Sequence, residues 1–145
     1  MDNNVNVLDE INKGATMGMD AIMFVYDKVG DQRFKQVLDG EYRKYKNISD
    51  RVVEEYNNYS IKAPHSTNPM NKAMTWYGIQ MKTMKDQSNE KISELLVQGT
   101  NMGIIEGVRL QNQNQDSDLN QNVRQILNDF VAMQEDSVET LKKYL

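Results

Sequence analysis

Apolar residues recur every three or four positions along most of the chain, and two-residue alternation is scarce. That is the helical period, so the pattern predicts an all-α protein. The first stripe is Ile11, Ala15, Gly18, Ile22, Val25 and Val29, which predicts a helix over about Val5 to Val29. Gly30 is placed to stop it and Asp31 to cap the next helix. So short a turn makes an antiparallel hairpin. The second helix, about Gln32 to Tyr59, carries Phe34, Leu38, Glu41, Tyr45, Ile48, Val52 and Tyr59 on one face.

Ser60 to Asn68 reads as a linker, and the two prolines of the chain, Pro64 and Pro69, lie within it and directly after it. Asn68-Pro69 then resembles a cap followed by proline at the first helical position, opening a short helix over about Met70 to Lys85. Asn89 is a candidate cap for a helix over about Glu90 to Gln111. The polar stretch Asn112 to Asp118 reads as a turn. Asp116 or Ser117 would cap the last helix, which runs to near Leu145 with Leu119, Val123, Ile126, Phe130, Met133, Ser137 and Leu141 on its stripe. The expectation is one domain over 1–145: hairpin 5–59, linker and crossover helix 60–88, hairpin 89–145. A faint repeat supports two hairpins, since Gly14-Ala15-Thr16-Met17-Gly18 echoes Gly99-Thr100-Asn101-Met102-Gly103.

Composition narrows the function classes. The 145 residues suffice for one core, and there is no cysteine for disulfide or thiolate chemistry. The net charge of −4 and the lack of a long basic run argue against nucleic acid. The longest apolar run, Ala21 to Tyr26, is far short of the roughly 20 residues that span a bilayer. The polar start is not a signal peptide, so a cytoplasmic protein is expected.

Two glutamates occupy unusual positions. With about 100° per residue, Glu41 falls within the stripe of the second helix and Glu106 within that of Leu95, Leu96, Gly99, Met102, Gly103 and Leu110. A carboxylate facing a core is costly unless paired, protonated or metal-bound. Asp20 falls opposite its stripe and is expected in solvent. Glu55, nearer its helix end, is expected at a wet rim.

Two hairpins, a crossover, inward glutamates near mid-helix and the Met-Gly and Gly-Ile-Ile-Glu segments resemble the ferritin-like four-helix bundle, in particular small uncharacterised bacterial proteins of that superfamily. The resemblance covers nearly the whole chain as architecture. It implies iron or manganese held by paired Glu and Glu-x-x-His sets. The chain departs from that pattern. Three residues after the inward glutamates stand Lys44 and Arg109, neither of which ligates metal when protonated. The sole histidine, His65, is in the linker. The expectation is therefore a buried polar network of Glu41, Lys44, Glu106 and Arg109, without a cofactor. The alternative is an iron or manganese protein with Glu41 and Glu106 as ligands.

Mid-helix glycines at 14, 18, 99 and 103 each cost about 1 kcal/mol relative to alanine, and close approach of neighbouring backbones is the expected return. The short helix has Met70, Ala73, Met74, Tyr77, Met81 and Met84 on one side and Trp76 and Ile79 on the other. Apolar groups on two sides predict one contact with the bundle and one with something else. The expected interface is Met70, Met74, Trp76, Tyr77, Ile79 and Met81. The function expected is a non-enzymatic structural or interaction bundle that self-associates, most simply as a homodimer. A weaker alternative is an adaptor that takes a partner's helix in a Met-lined groove.

Overall fold

The computed structural model describes residues 3–59 and 72–145, and every regular element among them is helical. Five α-helices follow in order: α1 (Asn3–Tyr26), α2 (Gln32–Tyr56), α3 (Lys72–Lys82), α4 (Asn89–Gln113) and α5 (Gln121–Lys142), with a 3-10 turn at Asn57–Tyr59 after α2. Pro64, His65, Pro69 and Met70 lie outside the described residues, as does the expected cap at Asn68.

The helix starts are set by side-chain oxygens that satisfy otherwise orphaned amides. Asp31 accepts from the Arg33 amide at 2.9 Å. Ser88, rather than Asn89, caps α4 by accepting from the Lys91 amide at 3.2 Å. Asn120, rather than Asp116 or Ser117, caps α5 by accepting from the Asn122 amide at 2.9 Å. At its other end α1 stops at Tyr26, earlier than Val29. A tighter turn replaces it there, with the Lys28 amide donating to the Val25 carbonyl at 2.9 Å.

α1 packs on α2 and α4 on α5 along their lengths, and the two hairpins meet at α2–α5 and at α1–α4. Cross-helix bonds fix the directions. Arg51 reaches Asp129 at 2.9 Å while Ser137 reaches Glu41 at 2.6 Å, so α2 and α5 are antiparallel. Asn3 bonds the Asn114 side chain at 2.5 Å, so the start of α1 meets the end of α4. Asn89 donates to Asp31 at 3.1 Å, which brings the start of α4 to the start of α2. α2 and α4 therefore run the same way, with the end of α2 and the start of α4 at opposite ends of the bundle. The end bearing the α1–α2 connection is called here the turn end, and the other the N-terminal end.

The core follows the apolar stripes: Leu8, Ile11, Ala15 and Val25 of α1, Phe34, Leu38, Val52 and Tyr56 of α2, Ile92 and Leu95 of α4, and Val123, Leu127 and Phe130 of α5 are buried. Burying each large aliphatic or phenyl side chain contributes about 1.5–3 kcal/mol. Tyr144 folds back over Phe34 with ring centroids 4.5 Å apart, closing the turn end. Asp9 of α1 is a buried polar exception and accepts from the Tyr56 hydroxyl at 2.5 Å. Burial first, and then the Asp9 carboxylate, push the Tyr56 hydroxyl well above the usual tyrosine range. Asp20 is exposed, whereas Glu55 is buried and accepts from the Asn58 side chain at 3.0 Å, so the 3-10 turn covers it in place of water. No helix among the described residues is long and apolar enough to cross a membrane.

Candidate functional site

The mid-helix glycines of α1 and α4 line a common hollow, but they do not bring the backbones together. Each makes room for a side chain from elsewhere. A Cβ on Gly14 would lie 2.8 Å from the Phe130 ring, and one on Gly18 would lie 2.5 Å from the Tyr45 ring. On α4, a Cβ on Gly99 would lie 2.5 Å from the Tyr77 ring, one on Gly103 would strike the Gln134 amide oxygen, and one on Gly107 would lie 2.6 Å from Val131. The expected close helix approach is thus corrected: aromatic and amide side chains of α2, α3 and α5 are received by the glycine faces.

This arrangement leaves a cleft of about 340 Å³ between α1 and α4. Met17, Ala21 and Ile22 of α1 and Leu96 and Met102 of α4 form its sides, Tyr45, Phe130 and Leu141 contribute from α2 and α5, and Met74 and Tyr77 of α3 line the part nearer the turn end. Tyr45 and Phe130 meet edge to face at 6.5 Å. Polar groups converge on these walls: Glu41, Thr100, Gln134 and Ser137.

Glu41 is buried, and both its oxygens are engaged. Oε2 accepts from Ser137 Oγ at 2.6 Å and Oε1 lies 3.2 Å from Lys44 Nζ. Lys44 also reaches Asp136 at 3.0 Å. Partial burial opposes the charge on Lys44, but the hydrogen bond to Asp136 and the field of Glu41 outweigh it and raise its pKa. Beside Glu41 the Tyr45 hydroxyl is pushed up to about 12, chiefly by burial and further by the Glu41 charge, with a hydrogen bond to Thr100 opposing. Burial likewise raises Tyr77.

Gln134 is the residue that the apolar spacing does not reveal. It is 1% exposed, and its Nε2 has no hydrogen-bond partner. A buried donor without an acceptor costs roughly 1–3 kcal/mol and calls for an explanation. The signal was present: Gln134 lies four residues after Phe130 and three before Ser137, within reach of the same face, where Met133 was expected.

Glu106 does not join Glu41. Its side chain is 57% exposed and pairs with Arg109 at 2.6 Å, so the expected four-residue buried network is corrected to a partly buried pair and an exposed one. The reason is the cleft itself: α4's apolar face opens there on a hollow instead of a packed helix. No group of three or more histidine or carboxylate side chains that could hold a metal ion occurs among the described residues.

On α3, Met74, Tyr77 and Met81 are buried against the bundle, which removes them from the expected interface, while Trp76 and Ile79 are 51% and 52% exposed. Met70 lies outside the described residues. Comparison with family models, with curated proteins and with solved structures finds no significant match.

Proposed function

We propose that this chain is a non-enzymatic binding protein of ferritin-like plan whose cleft between α1 and α4 holds a small, largely apolar molecule. The observation that carries the reading is the cleft: about 340 Å³, walled by methionine, aliphatic and aromatic side chains, with a few converging polar groups. Ligand sites have this size and make-up. The parallel α2 and α4 with a helix in the connection support the ferritin-like plan. The carboxylates that such a plan would offer to iron or manganese are committed to Lys44, Ser137 and Arg109, which supports binding over metal chemistry.

The test is fluorescence titration with N-phenylnaphthylamine, an apolar dye. One saturable equivalent per chain is expected. Ala21→Phe should abolish it by filling the cleft, with circular dichroism and melting temperature showing the fold intact. Equal binding by the two proteins would place the dye elsewhere and end the proposal.

A second reading, self-association, is favoured by the adjacent exposure of Trp76 and Ile79 on α3. Sedimentation should show a dimer that Trp76→Ala converts to monomer. A monomeric parent protein removes this reading and leaves the first untouched.

A further inference from the structure

The seam between α1 and α4 does not end with its apolar walls. A second hollow of about 480 Å³ continues toward the N-terminal end and shares Glu10, Glu106, Arg109 and Leu110 with the first. Its other walls are mostly amide and hydroxyl groups, among them Asn6, Gln113 and Ser117. The groove is therefore zoned, apolar beside α3 and polar beyond Lys13.

The junction of the zones carries an unbalanced pair. Glu106 and Arg109 satisfy each other across 2.6 Å. Glu10 and Lys13, one helical turn apart on the same face of α1, take part in no ion pair among the described residues. A head group with a single charge would meet one attractive and one repulsive neighbour there. A head carrying both charges would meet two attractive ones.

We propose that the groove binds one single-chain amphiphile with a zwitterionic head, its alkyl chain in the apolar zone and its head between Glu10 and Lys13. The inference rests on the binding role given above to the apolar zone. A dry cavity of about 150 Å³ holds benzene, so the apolar zone holds a chain of roughly a dozen carbons.

The test is calorimetric titration of the intact chain with dodecylphosphocholine, dodecanoate and dodecyltrimethylammonium, each kept below its micelle-forming concentration. Dodecylphosphocholine should bind about three- to tenfold more tightly than either singly charged probe. Lys13→Gln should shrink its advantage over the cationic probe, and Glu10→Gln its advantage over the carboxylate. Both positions are solvent-accessible, so both variants should keep the parent melting temperature. Equal affinity for all three heads, or an advantage that survives both substitutions, overturns the zwitterion assignment while leaving the apolar cleft standing. Saturable binding of none of them overturns both. Co-sedimentation of the protein with phosphatidylcholine vesicles, in place of binding to monomeric amphiphile, overturns the single-molecule site.

Discussion

The Glu41–Lys44–Asp136–Ser137 cluster yields an ordered set of stabilities. Glu41 is 4% exposed, Lys44 37% and Asp136 68%. Replacing Lys44 by Met leaves the Glu41 carboxylate in the core with only the Ser137 hydroxyl. Removing one partner of a fully buried pair costs about 3–5 kcal/mol, and an exposed pair is worth under about 1 kcal/mol. Lys44 is between these limits because water reaches its ammonium, so Lys44→Met should cost about 2 kcal/mol. Glu41→Gln should cost about 1–2 kcal/mol, because Ser137 can still donate to the amide oxygen and Lys44 keeps Asp136. Asp136→Asn should cost less than about 0.5 kcal/mol. Urea unfolding monitored by circular dichroism gives all three from the shift in midpoint at constant slope. An Asp136→Asn loss equal to that of Lys44→Met would mean that Lys44 is held from the surface and not by the core carboxylate, and the ordering would be refuted.

Other outcomes follow from the same packing. Gly18→Ala should destabilise by about 1–2 kcal/mol in urea unfolding, because overpacking against Tyr45 exceeds the gain in helix propensity; Gly40→Ala, whose Cβ would meet nothing within 4 Å, should stabilise by about 0.5–1 kcal/mol. Tyr45 binds its proton more tightly in the folded chain than in the unfolded one, so its contribution is complete below pH 10 and is lost as pH rises toward about 12. It amounts to about 3 kcal/mol. Alkaline melting curves of Tyr45→Phe should therefore fall less steeply than those of the parent, and identical slopes would contradict this. Arg109→Ala should change the unfolding midpoint by an amount equivalent to less than about 0.5 kcal/mol, since both partners of its ion pair are exposed.

The helices were legible because a sustained three-four spacing has one structural meaning. Their caps were less so. Ser88 and Asn89 are both good caps, and only the bond from Lys91 to Ser88 chooses between them. Asp116 and Ser117 in the polar stretch before α5 are good caps by residue type, but the helix starts beyond them, at Asn120. Glu41 was legible as inward because its helix is flanked by α1 and α5. Glu106 obeyed the same periodicity and yet stands in solvent, since a helical wheel gives a direction and not the distance to the next helix. Gln134 was hidden by the choice between adjacent positions at the edge of a stripe. The glycine faces were visible, but the side chains filling them come from three other helices, which local spacing does not encode.

The two seams between the hairpins are unequal. The α2–α5 seam is closed by Glu41–Ser137, Lys44–Asp136 and Arg51–Asp129, whereas the α1–α4 seam is interrupted by a hollow over much of its length. An opening of the α1–α4 side would widen an existing hollow and leave the three polar bridges of the α2–α5 seam in place, so it is expected to cost less than an opening of the α2–α5 side. In such a motion the two hairpins would swing as plates, with the α2–α5 seam as the spine. Amides of α1 and α4 facing the hollow should exchange with solvent before those along the spine, and the same motion would set the rate at which anything enters or leaves.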